Sequence, residues 1–309
     1  MPLYLRESEV EALLPPGDAV EAVEGCFRRL AGEGVDNRSR FRIRIEDGIM
    51  HTMAAADLEL GVAGLKTYIG HRDGARFLIV LFAADAPELI ALIEADRLGQ
   101  RRTGAASGVA AKWLARPGST TLGVIGCGWQ AESQIECIRA AVPGIERVIA
   151  YCRDGDRKAV FCEQIGAEPA EHNRDVAEAD IVVTATTSKD PVLRGEWLNP
   201  GTLVCAIGAN RIRARELDNA VLERAAFVCC DSKEQAKIEA GDLVEPIDQG
   251  ILDWLEVNEL SDVVTGATAG RHDDDDIIVF KSLGIAAEDL AASHLVVERA
   301  RASGVGYEL

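Results

Sequence analysis

The stretch TLGVIGCGWQAESQ, residues 121–134, decides how the rest of the chain is read. Leu122, Val124 and Ile125 form a short apolar, partly β-branched run of the kind found in a strand buried on both faces of a parallel sheet. Gly126 and Gly128 follow at once, and the chain must bend sharply there. A side chain at Gly126 would block the tight turn and one at Gly128 would keep the backbone from phosphates. A helix opening near Gln130 aims free N–H groups and its positive end at an anion. The third position of this glycine fingerprint is Ala131, small enough for close helix–strand packing. An ordinary strand-to-helix turn also carries glycines, so the flanks decide. Arg147 to Tyr151, RVIAY, supplies a second strand-like run after one helix and completes a βαβ unit of about 30 residues. Gly126, Gly128, Trp129, Gln130 and Ala131 are therefore candidates to hold a dinucleotide pyrophosphate.

Downstream the same pattern repeats. Ile181 to Thr184 runs into the polar Thr184-Ala185-Thr186-Thr187-Ser188, Leu203 to Ile207 ends in Gly208-Ala209-Asn210, Phe227 to Cys230 ends in Asp231-Ser232, and Ile277 to Phe280 makes a last strand. Strands that each end in polar or glycine residues and pass into helices predict a doubly wound parallel sheet with right-handed crossovers. Thr186 then sits where strand C-termini meet a cofactor.

Upstream the character differs. Ser8-Glu9-Val10-Glu11 predicts a capped short helix ended by Pro15-Pro16, and Val20, Val23, Phe27 and Leu30 share one face of a second helix. From Asn37 to Ile45 apolar Phe41, Ile43 and Ile45 alternate with Arg38, Arg40, Arg42 and Arg44. A solvated strand face would look the same, but four arginines in an acidic protein argue that at least one meets an anion. Ile49–Ala54, Val62–Ile69 and Phe77–Phe82 continue as strands of a mainly antiparallel sheet, with Lys66 inside the third of the four. Ala95 to Ala115 is a long alanine- and glycine-rich helix carrying Arg101 and Arg102, and Arg116-Pro117-Gly118 breaks it. The expected domains are 1–116, completed by 285–309 through a helix over Glu288–Arg301, and 117–284.

Composition narrows the function classes. A chain of 309 residues, 48% apolar and 27% charged, has the size of about two globular domains. A net charge of −18 disfavours nucleic acid and anionic membranes as partners, and it requires any anion site to concentrate Arg and Lys locally. No apolar run approaches the ~18 residues of a membrane span, the N-terminus lacks the marks of a signal peptide, and the eight cysteines include no C-x-x-C pair. A reducing cytoplasm is the expectation. Asp273–Asp276 reads as a solvated loop rather than a metal site, because four consecutive aspartates cannot all face one ion.

The end of the second strand of the βαβ unit bears on the choice of cofactor. NAD-preferring folds place a carboxylate there for the ribose hydroxyls. Here Tyr151 is followed by Cys152-Arg153-Asp154, with Arg157 and Lys158 a turn further on. A neutral thiol and Arg153 at this point favour NADP(H), whose extra phosphate a guanidinium can fork; a strand end shifted by one residue would make Asp154 the ribose ligand and NAD(H) the cofactor.

Several segments, in order, resemble the ornithine cyclodeaminase/mu-crystallin family. They are Lys66 in its strand, Arg102-Thr103-Gly104-Ala105-Ala106, Gly126 to Ala131, Thr184 to Ser188, and Phe280-Lys281-Ser282-Leu283-Gly284. The resemblance implies a Rossmann-type dinucleotide-binding domain inserted into an α+β substrate-binding and dimerisation domain, working as a homodimer on a small amino or imino acid, with the active site between the domains. By the same resemblance Arg40, Lys66 and Arg102 bind the substrate carboxylate, and Ser282 and Gly284 join the cofactor site. Cyclodeaminating members carry an aspartate where this chain has Asn210. An amide hydrogen-bonds a nitrogen but cannot accept a proton near neutral pH. The expectation is therefore an NAD(P)H-dependent reductase of a cyclic ketimine such as pyrroline- or piperideine-2-carboxylate, with Lys66, Arg102 and Asn210 as catalytic residues. Ornithine cyclodeaminase, an alanine dehydrogenase-like oxidoreductase and a non-catalytic cofactor-loaded binding protein are the alternatives.

Overall fold

The computed structural model describes residues 1–71 and 73–309. The chain begins β1 (Leu3–Leu5), α1 (Glu7–Leu13), α2 (Pro16–Leu30), β2 (Val35–Ile45), β3 (Gly48–Asp57), β4 (Val62–His71), β5 (Gly74–Ala83), β6 (Leu89–Glu94) and α3 (Asp96–Leu114). It continues β7 (Thr121–Ile125), α4 (Trp129–Ala141), β8 (Arg147–Tyr151), α5 (Gly155–Ile165), β9 (Glu168–Pro169), α6 (Asn173–Ala177), β10 (Ile181–Thr184), β11 (Leu203–Ala206), α7 (Asn219–Arg224) and β12 (Ala225–Cys230). It closes with α8 (Lys233–Glu239), α9 (Gly241–Asp248), β13 (Val257–Glu259), α10 (Leu260–Val264), β14 (Ile277–Lys281), α11 (Ala286–Ser303) and β15 (Tyr307–Glu308). Two compact units result, Met1–Ala105 with Gly284–Leu309, and Ala106–Leu283. The first division falls within α3, ahead of the Arg116-Pro117-Gly118 breaker.

In the first unit a seven-stranded sheet has the order β15-β1-β6-β5-β4-β3-β2, with β2 to β6 an antiparallel meander and β1 parallel to β6. The strand period of two gives its faces opposite characters. One face presents Met53, Ala55, Lys66, Ile79 and Leu81, all buried, and α11 packs along β3 and β4 and against α2. The other leaves Phe41, Ile43, Ile69 and Phe82 between 40% and 54% exposed. Lys66 is thus neither exposed nor on an edge, since β4 lies inside the sheet and Lys66 is 3% exposed. The short β1, β6 and β15 carry too little pattern to be read from sequence. The first helix starts at Glu7, one residue before the expected Ser8, and the Glu9 carboxylate accepts from the Arg6 N–H at 2.8 Å. Pro16 opens α2 rather than closing α1, where its missing N–H costs nothing.

The second unit is an eight-stranded, all-parallel sheet ordered β13-β12-β14-β11-β10-β7-β8-β9. Read from β9 to β14 this is the doubly wound order, with its topological switch between β7 and β10, and the domain is Rossmann-type. Its strands are apolar on both faces, as the sequence pattern requires: every residue of β10, β11 and β14 is buried. The buried set includes Lys281, which pairs with Asp242 at 3.0 Å and donates to the Ala206 carbonyl. Of the acid run, Asp276 folds its carboxylate back on the His272 and Asp273 N–H groups, and Arg271 donates to the Asp276 carbonyl.

Candidate functional site

At the switch point β7 ends in the glycine turn. Gly126 has φ +119, and a Cβ there would run into the Ala185 carbonyl, so this glycine is required by the fold itself. Gly128 is different. Its φ of −107 suits any residue, and a Cβ would meet no protein atom closer than Arg157 Nη2 at 3.7 Å. Neither conformation nor packing demands a glycine there, so the free approach to its backbone serves something outside the chain, as a pyrophosphate on the α4 N-terminus would need. Trp129 and Gln130 open α4, and the fully buried Ala131 seats that helix on the sheet.

A cavity of about 430 Å³ lies over this turn, within the size range of cofactor sites. Its walls include Gly126, Gly128, Cys152, Arg153, Arg157 and Thr186. The Asp154 carboxylate caps α5 by accepting from the Arg157 N–H at 3.0 Å, and the Cys152 thiol donates to the Asp154 carbonyl at 3.3 Å. Arg157 Nε donates to the Cys127 carbonyl at 2.8 Å and Lys158 Nζ to the Ala170 carbonyl at 2.6 Å. Lys158 is thereby tied to the fold, while Arg153 and Arg157 are both exposed and both line the cavity. Asn210, half-buried, follows β11 beyond Gly208.

The first unit gathers Arg40, Lys66 and Arg102, each under 8% exposed. Asp289 Oδ1 accepts from Lys66 Nζ and from Arg102 Nε, both at 2.8 Å, and Glu288 Oε2 accepts from Arg102 Nη1 at 2.9 Å. Arg40 Nη2 donates to the Gly284 carbonyl at 3.1 Å. Gly284 has φ +72, and a Cβ on it would strike the Arg102 guanidinium. Gly99 on α3 similarly leaves room at Lys66 Nζ, 3.3 Å from where its Cβ would stand. Burial first and Arg102 second push the Lys66 pKa down, to about 8, against the pull of Asp289. Burial also works against the charge of Arg102, but the two carboxylates overcome it and raise its pKa. Three cations gather in a desolvated place, a setting suited to a carboxylate.

Two expected cofactor residues lie outside the lining of this cavity. Ser282 is 1% exposed and its hydroxyl donates to Asp231 at 3.3 Å, which fastens the end of β14. Gly284 belongs to the first unit, under Arg40 and Arg102. Sequence reading missed Glu288 and Asp289, whose pairing with distant cations no local pattern announces. It missed the stacked ladder His51–Tyr68–Phe77 on the Lys66 face, with centroids 4.3 and 4.5 Å apart, which a cross-strand register would have been needed to find.

The fold and its glycine turn define a dinucleotide-binding α/β protein, and its first unit holds a buried cluster of cations. The chain belongs to the ornithine cyclodeaminase/mu-crystallin family, whose model matches residues 2–304. It is 39% identical to a Δ1-pyrroline-2-carboxylate reductase of Bacillus cereus over 75% of this chain and 73% of that one. The structure of the Thermococcus litoralis Δ1-pyrroline-2-carboxylate reductase with NADH and L-proline is 30% identical, with a TM-score of 0.93 over 99% of this chain and 100% of that chain. An archaeal alanine dehydrogenase dimer with bound NAD is 32% identical, also with a TM-score of 0.93, over 100% and 98% of the two chains.

Because neither backbone conformation nor packing demands a glycine at 128, Gly128→Ala should lower stability by less than about 1 kcal/mol. Dinucleotide affinity should fall at least about tenfold, or 1.4 kcal/mol. Thermal melting beside a fluorescence titration checks this, and unchanged affinity would remove Gly128 from the site.

Proposed function

We infer that the protein is a nicotinamide-dependent oxidoreductase that reduces a small imino acid, a cyclic ketimine such as pyrroline- or piperideine-2-carboxylate. The observation that carries this reading is the buried cluster of Arg40, Lys66 and Arg102. A substrate carboxylate suits such a gathering of cations. Reduction of a C=N bond needs a hydride at carbon and a proton at nitrogen, and a bound reduced nicotinamide supplies the hydride. Arginine does not release its proton near neutral pH, whereas Lys66, with its pKa near 8, can. Lys66 therefore holds the proton for the imine nitrogen while Arg102 and Arg40 orient the carboxylate. Asn210 offers no base for cyclodeamination, since an amide does not accept a proton near neutral pH. Membrane association receives no support, since no helix among the described residues is long and apolar enough to cross a bilayer.

Similarity to an alanine dehydrogenase favours a second reading, with pyruvate and ammonia as substrates on the same cluster. Following NAD(P)H absorbance with a cyclic imine, with pyruvate plus ammonia, and testing ornithine for conversion to proline separates the readings. The cyclic imine should give the highest kcat/KM, and a higher value with pyruvate would overturn the first reading. The working form of Lys66 is the ammonium, present below its pKa. The kcat/KM of the reduction should therefore fall about tenfold per pH unit above about 8. Lys66→Arg, which does not titrate there, should be slow and lack that limb.

We further propose a preference for NADPH. The relatives described hold NADH or NAD, but here Cys152 takes the position of the ribose-binding acid, Asp154 is used as a helix cap, and Arg153 stands exposed in the cavity wall. Arg153→Ala should weaken NADPH about ten- to a hundredfold, the worth of a charge-assisted bond, and leave NADH within a few-fold. Equal dissociation constants for the two cofactors in the wild type would end the argument.

A homodimer accounts for the apolar outer face of the first sheet. Phe41, Ile43 and Ile45 on the edge strand β2, with Ile69 and Phe82, would be an aggregation hazard if left in water, and a second copy of the same face covers them. Ile43→Glu should shift the protein to monomer in light scattering; a dimer persisting at micromolar concentration would place the interface elsewhere.

A further inference from the structure

We propose that Glu216 is a positioning residue for the dinucleotide cavity, its carboxylate fixing the loop after β10 against the turn after β11. Glu216 is fully buried and does not itself line the cavity. Its Oε1 accepts from the Thr186 N–H at 2.6 Å, and its Oε2 accepts from the Gly208 N–H at 2.6 Å and from Thr184 Oγ1 at 2.9 Å. One side chain thus satisfies three donors from the ends of two neighbouring strands. The two segments are so close that a Cβ on Gly208 would run into Thr186 N and O and Glu216 Oε1, so no room exists for a replacement arrangement.

What Glu216 holds on one side is cavity wall on the other. Thr186 lines the cavity, and the Ala185 carbonyl and Thr186 methyl group lie where a Cβ of Gly126 would be. The loop is therefore the back support of the glycine turn, and packed interiors transmit small shifts. Glu216 is itself fixed from behind. Its N–H and that of Leu217 donate to Asp242 Oδ1 at 2.7 and 3.0 Å, and Asp242 pairs with Lys281, which donates to the Ala206 carbonyl. Burial raises the Glu216 pKa and Lys281 opposes this. All three neighbours donate to the carboxylate, so an amide in its place would turn an N–H₂ toward at least one N–H.

Asp180 provides the matched comparison. It precedes β10 at the opposite end of the same strands and accepts from the Thr120 and Thr121 N–H groups, Thr121 Oγ1 and Arg116 Nη2, with no part in the cavity. A carboxylate that only supports the sheet should behave like Asp180. The test uses the full chain and whichever of NADPH and NADH the wild type binds more tightly. Dissociation constants by fluorescence titration and thermal midpoints are measured for Glu216→Gln, Asp180→Asn and the milder Thr184→Val, which removes one donor and leaves both N–H anchors. Glu216→Gln should raise the dissociation constant at least tenfold while Asp180→Asn stays within twofold of wild type, even where their midpoints fall equally. In turnover, KM for the cofactor should rise with kcat within about threefold. Glu216→Gln decides the matter where it folds. Where it does not, Thr184→Val decides it, with a two- to fivefold rise expected. An affinity within twofold of wild type in the deciding variant, or a loss matched by Asp180→Asn at equal midpoint, overturns the proposal. Cofactor binding is read directly, so this test stands apart from the identity of the imine.

Discussion

A single oxygen, Oδ1 of Asp289, accepts from both Lys66 and Arg102, and the interior of the first unit depends on it. Two cations in an interior repel one another, and bringing each out of water costs several kcal/mol before any partner is counted. Asp289 and Glu288, adjacent in the first turn of α11, answer both charges from one short stretch of backbone. The two carboxylates hold Arg102 protonated, while burial and the neighbouring Arg102 push the Lys66 pKa down to about 8, so two cations of one cluster hold their protons with different strength.

The parts of the fold that were legible in the sequence are those set by local rules. RVIAY and IVVT match β8 and β10 residue for residue, because an all-parallel sheet buries both faces of a strand and leaves a continuous apolar run between polar ends. The glycine turn was legible for the same reason, with Gly126 carrying a backbone conformation that other residues avoid. Strands β1 and β15 were not, since at three and two residues they exist only through their pairing.

The cationic cluster shows a sharper limit. Alternation around Arg40 marks a strand but does not say which side is wet, and the structure reverses the ordinary expectation: Arg40 is buried while Phe41 and Ile43 face outward. Lys66 gained meaning only from the family resemblance, since a lysine in a strand has no local signature of burial. Its partner Asp289 lies 223 residues away in sequence, beyond any periodicity. The cofactor end illustrates the opposite error. Arg157 and Lys158 looked like free positive charge for a phosphate, yet Lys158 ties a backbone carbonyl and lies outside the cavity lining, and Arg157 lines the cavity with its Nε already spent on the Cys127 carbonyl.

The split first unit also sets an order of events during synthesis. Arg40 and the Gly284 carbonyl it meets are separated by 244 residues, while the intervening unit closes its sheet entirely within Ala106–Leu283. A chain emerging from its N-terminus presents the apolar inner face of β3 and β4 long before α11 exists to cover it, and the inserted domain can complete its own core in the meantime. The last helix is thus the closing step of assembly. Until it arrives, Lys66 and Arg102 lack the Asp289 carboxylate they share, and the sheet face that carries Lys66 has no lid.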